Sequence, residues 1–339
     1  MTAGVPLERG RARHPESVGL RGPGGWLPLQ AEATERWPDG TIRWLLLDFP
    51  ATVDARGELD LEVVPEAGRD APLPPEPIHV NRTGRGFFVD TGAAQFSVDP
   101  DAFLPLRSAR VGGVERIDTA HSRWRCVDTD GGEWTPRVTE CALETEGPLR
   151  TVIRIDGRME RAGAERSLLT FTSRLTFWSG CATVGVRMSV RNPRRAEHPG
   201  GHWELGDPGS VLLQDLSLRV GSFAAKRISW SVDPGSPPGS VDADTFELYQ
   251  ESSGGENWQS PVHVDRTGDV PMKQRGYRLH LGPETREGLR ATPRVALHDG
   301  SGGVGITVRH FWENFPKAIE ADRNAVTLRL FPHQFPGGH

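Results

Sequence analysis

Apolar and polar residues alternate along much of this chain, which is the pattern of β-strands. In Leu169–Trp178 (LTFTSRLTFW) the large apolar residues share one parity, and in Thr183–Val190 (TVGVRMSV) the valines and the methionine do so. Because successive side chains of a strand point to opposite faces, these segments around the break Ser179–Cys181 predict a β-hairpin. Val304–Trp312 and Ala325–Phe331 repeat the pattern.

Glycine and proline interrupt the chain so often that long helices have little room. The longest run without either residue is Val114–Asp130, which has 17 residues. Before the apolar run Ile42–Phe49, the residues Pro38–Gly40 have the composition of a turn. We therefore predict an all-β protein, mostly antiparallel, in which Ile42–Phe49 is a buried strand.

A domain boundary is predicted near Pro65–Pro77, where five prolines and several charged residues interrupt the apolar alternation. The segment before it has its own turn and buried strand, and strands continue after it to the end of the chain. We therefore predict two domains, a small one over residues 1–78 and a large one over residues 79–339.

Composition excludes several classes of protein. The 339 residues carry 40 basic and 45 acidic side chains without a basic run, so the charge pattern of a nucleic-acid-binding protein is missing. No apolar run approaches the roughly 18 residues needed to span a bilayer, and the first residues have no apolar core of a secretion signal. Three cysteines without a CxxC pair favour buried thiols in a reducing compartment, so we expect a cytoplasmic protein.

Two apparent cofactor or metal motifs are rejected or left open. Gly300, Gly302 and Gly305 satisfy GxGxxG, but both flanks have the pattern of strands, so a glycine-rich hairpin turn is expected instead of a dinucleotide site. His198 and His202 are four residues apart, yet the intervening Pro-Gly-Gly excludes a helix. A polar loop and a looser metal site remain the alternatives there. We expect no cofactor, although a divalent cation stays possible.

The segment Ser252–His280 has the glycines and prolines of a loop but an unusual set of reactive and anion-binding side chains. Its members are Trp258, His263, Arg266, Lys273, Arg275 and Tyr277. Trp258, Trp312 and Trp203 each stand beside Gly, Pro, His or charged residues, so each either plugs the end of a β-sandwich or offers a flat platform for a sugar ring. In Val304–Trp312, alternation places His310 and Trp312 on the face of Val304, Ile306 and Val308, as at the edge of a cleft.

Long tryptophan-containing strings resemble the exo-rhamnogalacturonan lyase-like (YetA-like) family. They are Gly25–Pro50, His198–Val220, Tyr249–Gly268 with Arg275–Leu279, and Val308–Asp322. The resemblance implies an N-terminal RIFT-type β-barrel followed by a large antiparallel β-sandwich. It also implies a polysaccharide lyase that acts by β-elimination on an acidic, rhamnose-containing glycan. Full-length members continue into an α/α-toroid after a point like Phe331–His339, so a missing C-terminal α-helical domain is an expected partner.

A uronate lyase must neutralise a carboxylate and remove the weakly acidic C5 proton beside it. Arginine suits the first task, and tyrosine, lysine or histidine can perform the second when the environment lowers the pKa. We therefore assign Tyr277, Lys273 and His263 as candidates for proton transfer. The candidates for binding an acidic oligosaccharide or polysaccharide are Trp258, Arg266, Arg275, His310, Trp312, His202 and Trp203. A non-catalytic carbohydrate-binding module and a purely structural β-protein are the alternatives.

Overall fold

The computed structural model describes residues 1–68, 71–101, 103–198, 207–223, 227–241, 245–262, 264–265 and 267–336. Within these residues the regular structure consists of β-strands and one 3-10 helix, Pro15–Ser17. The prediction of an all-β fold is confirmed.

The strands are short in the first part of the chain and longer in its middle. The first thirteen are β1 (Thr2–Pro6), β2 (Gly19–Gly22), β3 (Gly25–Trp26), β4 (Gln30–Arg36), β5 (Ile42–Asp48), β6 (Glu62–Val64), β7 (His79–Thr83), β8 (Gly86–Asp90), β9 (Gln95–Val98), β10 (Ser108–Val111), β11 (Val114–Glu115), β12 (Ile117–Asp128) and β13 (Glu133–Thr145). The others are β14 (Arg150–Glu160), β15 (Thr170–Trp178), β16 (Val184–Arg191), β17 (Leu213–Ser222), β18 (Arg227–Ser231), β19 (Gly239–Val241), β20 (Phe246–Gln250), β21 (Tyr277–Leu281), β22 (Glu284–Gly288), β23 (Arg294–His298), β24 (Gly303–Thr307), β25 (Lys317–Ala321) and β26 (Ala325–Phe331).

The chain forms two compact units. The first comprises Met1–Phe96, Ala142–Arg154 and Arg174–Arg187, and the second comprises the intervening segments and the remainder of the chain. The predicted boundary after residue 78 stays a prediction. The predicted hairpin is confirmed, because β15 and β16 are hydrogen-bonded neighbours joined through Gly180, whose φ is 66°.

The first unit is built around the predicted buried strand. In β5, Ile42, Leu45 and Leu47 are almost completely buried, and β5 lies between β1 and β4 in a three-stranded sheet. A second sheet has the order β3-β2-β6 and contributes Leu20 to the same apolar core. The turn before β5 is closed by Asp39, whose carboxylate accepts hydrogen bonds from the backbone N–H and the hydroxyl of Thr41.

The second unit contains a β-sandwich. One sheet contains the strand order β12-β17-β26-β25-β20-β21-β22, and the other has the order β19-β18-β23-β24. Apolar side chains of both sheets form the core between them. They are Ile228, Trp230, Val295 and Leu297 from the smaller sheet and Phe246, Leu248, Leu279, Leu281, Ile319, Ala321 and Val326 from the larger one.

The predicted strand Val304–Trp312 is wrong in its second half. Strand β24 ends at Thr307, and residues 309–314 form a turn. Asn314 donates hydrogen bonds from both its backbone and its side chain to the carbonyl of His310, and His310 has a positive φ of 55°. The first half and its glycines form the expected hairpin, because β24 pairs antiparallel with β23.

A network of buried charges crosses the face of the larger sheet opposite the core. Asp215 on β17 is fully buried and accepts hydrogen bonds from Arg329 Nη1 at 2.6 Å, Arg125 Nη1 at 3.2 Å and Ser217 Oγ at 2.8 Å. Arg329 on β26 also donates from Nε and Nη2 to both carboxylate oxygens of Glu320 on β25, at 2.6 and 2.8 Å. One guanidinium therefore joins three strands through two carboxylates.

The network continues to β20 through the segment after β26. Gln334 donates from Nε2 to Glu320 Oε1 at 2.7 Å and to Glu247 Oε2 at 3.1 Å. Glu247 and Glu320 are register partners across β20 and β25, so the amide bridges two carboxylates of like charge. This bridge fixes β20 relative to the strands that carry Asp215 and Arg329.

Removing one partner of this network should destabilise the second unit strongly. We expect Asp215→Ala to lower the free energy of unfolding by about 3–5 kcal/mol, because it leaves the Arg329 guanidinium partly buried with one carboxylate fewer. Urea titration followed by circular dichroism measures this change. Glu287→Ala is the control, since its ion pair with Arg278 is 3.9 Å long and more exposed, and it should cost less than about 1 kcal/mol. Equal effects of the two variants would contradict the central role of Asp215.

The pKa of Glu320 generates a prediction about acid stability. Burial acts to raise this pKa, but the hydrogen bonds and charge of Arg329 and the bond from Gln334 lower it below its ordinary value of 4.5. A carboxyl whose pKa is lower in the folded state stabilises the fold above its unfolded pKa, and this contribution is lost as pH falls through the folded value. We expect Glu320→Gln to be less stable than wild type at neutral pH and to lose less stability below pH 4.5. Urea midpoints across acidic pH measure the difference, and parallel pH profiles would contradict it.

Candidate functional site

The loop between β20 and β21, residues 251–276, contains most of the predicted site. Three consecutive buried polar residues at its first end, Gln250, Glu251 and Ser252, organise its backbone. Gln250 donates from Nε2 to the carbonyls of Ser252 and Leu289, and its Oε1 accepts from the N–H of Ala291. The amide of a single buried side chain therefore ties the first end of the loop to the segment after β22.

Glu251 and Ser252 close the loop by binding its last residues. Glu251 Oε1 accepts the backbone N–H of Lys273 and that of Gln274, the latter at 2.8 Å. Ser252 Oγ donates to the carbonyl of Gln274 at 2.9 Å and accepts from the N–H of Gly276 at 2.8 Å. Buried backbone groups are satisfied in this way without a strand, so the loop has a fixed base.

Two glycines allow the backbone segments at this base to approach closely. Gly254 and Gly276 have φ values of 68° and 82°. A Cβ at Gly254 would lie 2.1 Å from the carbonyl oxygen of Leu289, and one at Gly276 would lie 2.1 Å from that of Gly288. Both the backbone conformation and the contact therefore require glycine.

Two arginines bond to neighbouring carbonyls at the first residues of the loop, and one of them packs on a tryptophan. Arg275 donates from Nε to the carbonyl of Gly254 at 3.1 Å, and Arg290 donates from Nε to the carbonyl of Ser253 at 3.2 Å. The Arg290 guanidinium lies 4.2 Å from the ring centroid of Trp312. Both arginines are exposed, and among the described residues the structure gives neither an acidic partner. This group, the Arg275–Arg290–Trp312 cluster, can bind an anion through its guanidiniums, one of which packs on the indole.

The other described candidates are Trp258, Lys273 and His310. Trp258 is half-buried in a turn of the loop, the side chain of Lys273 is exposed, and His310 is exposed with Nδ1 3.4 Å from Glu313 Oε1. The backbone of Lys273 is held by Glu251, two residues before Arg275. His202, Trp203, His263 and Arg266 lie outside the described residues.

Tyr277 has an environment opposite to the one a base requires. It is the first residue of β21, packs against the core of the sandwich, and its ring covers Gly288. Burial and, to a smaller extent, the negative charge of Asp233 raise the pKa of Tyr277. Burial and the neighbouring Glu251 likewise raise the pKa of Tyr249, the chain's other tyrosine. Both phenols therefore keep their protons at neutral pH, which leaves Lys273 as the described candidate for a base.

Sequence reasoning missed Arg290, Glu251 and Gln250. Arg290 follows the β21–β22 hairpin, whose register pairs Tyr277 with Gly288 and so returns the chain to the base of the loop. The alternating residues before Gly282 and the Gly-Pro pair at 282–283 were the available signal for that hairpin. Nothing in the local sequence distinguishes Glu251 from a solvated carboxylate, because its burial depends on strands distant along the chain.

The described ranges contain neither a cluster of metal-binding side chains nor a membrane-spanning helix. No group of three or more His, Cys, Asp or Glu side chains there is arranged to hold a metal ion. Among the described residues, no helix has both the length and the apolar character needed to cross a bilayer.

Fold and comparisons together define the class of protein. The chain is an all-β protein that combines an N-terminal RIFT barrel with a central β-sandwich. Residues 1–63 match the model of the PcRGLX-like N-terminal RIFT barrel domain, and residues 78–195 match that of the PcRGLX-like protein central beta sandwich domain. The chain belongs to the PcRGLX-like family, so the resemblance of its sequence and the predicted architecture are confirmed.

A curated relative extends the match over nearly the whole chain. The uncharacterized protein YetA of Bacillus subtilis (strain 168) is 24% identical over 373 aligned residues, which cover 98% of this chain. The same alignment covers 42% of YetA, so the chain spans less than half the length of this relative.

The fixed base of the loop should depend on Glu251. We expect Glu251→Ala to accelerate hydrogen exchange at the amides of Lys273 and Gln274 by about tenfold, since a hydrogen bond to a charged acceptor contributes roughly 1.5–3 kcal/mol. Exchange resolved by mass spectrometry measures this. Glu256→Ala, at an exposed position in the same loop, should leave these amides unchanged. Unaltered exchange in Glu251→Ala would show that the carboxylate does not hold the loop.

Proposed function

We propose that this chain is the β-rich part of a carbohydrate-active enzyme that binds an acidic saccharide at the Arg275–Arg290–Trp312 cluster. The observation that carries the proposal is the pair of exposed guanidiniums, each held by a backbone carbonyl of Ser253 or Gly254. Each uses its Nε for that bond, and guanidinium has further N–H donors suited to a carboxylate. Trp312 packs against the Arg290 guanidinium and helps to hold it in place.

The reaction that fits this arrangement is β-elimination from a uronate-containing, rhamnose-containing glycan such as rhamnogalacturonan. The name of the family supports this reaction class. The arginines would neutralise the uronate carboxylate, which increases the acidity of the C5 proton. The Lys273 amine would accept that proton while the C4–O bond breaks and a C4–C5 double bond forms, and the leaving oxygen would take a proton from water.

A second candidate function is carbohydrate binding without turnover. It is favoured by the raised pKa values of Tyr249 and Tyr277, which remove both tyrosines as bases. In that case the same cluster would hold an acidic saccharide for chemistry performed elsewhere.

The two functions are separated by measuring turnover and binding on the same preparation. Rhamnogalacturonan oligosaccharides are incubated with the chain, and the ultraviolet absorbance of the conjugated alkene product is followed. Product formation that is lost in Lys273→Met supports the lyase. Calorimetric binding without product supports the binding module, and the absence of both contradicts the proposal.

Arg290 should contribute strongly to binding of the acidic sugar. We expect Arg290→Ala to weaken binding of galacturonate-containing oligosaccharides by about tenfold or more, because a charged hydrogen bond contributes roughly 1.5–3 kcal/mol. The loss should shrink as salt concentration rises. Isothermal titration calorimetry at low and high salt measures both effects.

The first unit offers a matched control for this variant. Arg43 stacks on Trp37 at 4.8 Å, as Arg290 does on Trp312, but it is neutralised by Glu35 at 2.8 Å. Arg43→Ala should leave the affinity unchanged. Full affinity in Arg290→Ala, or an equal loss in Arg43→Ala, would remove the cluster as the binding site.

A further inference from the structure

A cavity of about 490 Å³ lies within the first unit, on residues that the proposed function does not use. Its volume falls within the range of about 300–1,000 Å³ that is usual for small-molecule sites. Apolar side chains form much of its wall, among them Phe49, Pro74, Leu149 and Trp178. The cavity is therefore large enough for a small ligand with an apolar face.

Trp178 gives the cavity a flat aromatic wall. Its indole covers Gly185 on the neighbouring strand β16, where a Cβ would lie only 2.8 Å from the ring. The residues that follow it are held in place, because the N–H of Ser179 donates to Leu149 and that of Gly180 donates to Thr91. A fixed indole of this kind is suited to stacking on the C–H face of a pyranose.

The polar groups of the lining include both hydrogen-bond acceptors and donors, and their charges largely compensate one another. Asp48 is buried and bonded to Arg150 Nε at 2.7 Å and to the hydroxyl of Thr2, so its charge is compensated. Glu76 is exposed, and its side chain lies against Gly92 and Gly180. The lining includes no lysine, arginine or histidine among the described residues, but it does include the Met1 ammonium, which donates to the carbonyl of Phe49 at 2.6 Å. Because this ammonium offsets the charge of Glu76 and Arg150 offsets that of Asp48, the lining carries little net charge and favours an uncharged polyol over an acidic sugar.

We propose that this cavity is a binding site for a neutral monosaccharide unit, stacked on Trp178 and hydrogen-bonded through its hydroxyls to Glu76. The inference goes beyond the proposed function, because it uses residues of the first unit alone and does not require turnover. It also assigns the cavity a ligand charge different from that of the Arg275–Arg290–Trp312 cluster.

The test uses methyl glycosides of neutral hexoses and deoxyhexoses as probes, with galacturonic acid and glucosamine as charged comparators. Saturation-transfer NMR and calorimetry measure binding to the whole chain. We expect a neutral glycoside to bind and Trp178→Ala to weaken it by about tenfold or more, as for loss of an aromatic contact. Trp44→Ala removes a tryptophan that is 39% exposed in the same unit and should leave the affinity unchanged.

A second variant guards against misfolding of Trp178→Ala. Thr52 lines the cavity and is exposed, so Thr52→Trp should fill the opening without disturbing the core. We expect it to abolish binding while the urea midpoint stays that of wild type. Because Thr52→Trp leaves the Trp178 wall in place, retained affinity in this variant would contradict the assigned position.

The wild-type chain supplies an independent measurement of occupancy. Cys181 lines the cavity and is exposed, whereas Cys126 is buried and Cys141 is half-buried. A bound neutral glycoside should slow alkylation of Cys181 by iodoacetamide and leave that of Cys141 unchanged, as read by mass spectrometry. Absence of neutral-glycoside binding, preference for either charged comparator, unprotected Cys181, or unchanged affinity in Trp178→Ala would each overturn the proposal.

Discussion

The bonding of Arg329 to Asp215 and Glu320 is the interaction on which the larger sheet depends. A guanidinium cannot lose its charge, so its burial is tolerated only while both carboxylates stay in place. This requirement fixes the mutual positions of β17, β25 and β26, and Gln334 extends it to β20 through Glu247. Strand β20 ends at Gln250, where the anchored loop begins. The charge network, on the sheet face opposite the apolar core, therefore fixes the strand from which the candidate site begins.

Rigidity at the base of the 251–276 loop has a direct consequence for binding. Arg275 and Arg290 are long side chains that would lose conformational entropy on binding an anion. Their bonds to the carbonyls of Gly254 and Ser253 restrict them before any ligand arrives. Because those carbonyls are in turn fixed by Gln250, Ser252 and the glycine contacts, part of the entropic cost of binding is met during folding. Polar burial at this base thus serves affinity as well as stability.

The alternation of apolar and polar residues predicted strands correctly where the apolar residues are buried in the core. It failed where a side chain hydrogen-bonds to a backbone group that a strand would use. Strands β15 and β26 occur as expected because their apolar parity coincides with the core. The alternation of Val304–Trp312 is just as regular. Asn314, however, donates a hydrogen bond to the carbonyl of His310, and the strand ends at Thr307. The composition of the loop predicted a site, and the candidate cluster includes Arg275 and Trp312 from that prediction. Arg290 could not be found in the same way, since only the β21–β22 register brings it to Ser253.

The charged groups at the two candidate sites differ, which supports the proposal that the sites bind different ligands. The Arg275–Arg290–Trp312 cluster combines an indole with guanidiniums that, among the described residues, lack acidic partners, so it favours anions. In the cavity of the first unit, the Arg150 guanidinium is bonded to Asp48, and the Met1 ammonium is balanced by the carboxylate of Glu76 in the same lining. The cavity therefore offers an indole without a net charge beside it. An aromatic wall alone would take either kind of sugar, because stacking is insensitive to the charge of a distant substituent. Under the two proposals, the placement of each charged group relative to its partner decides which saccharide each site selects.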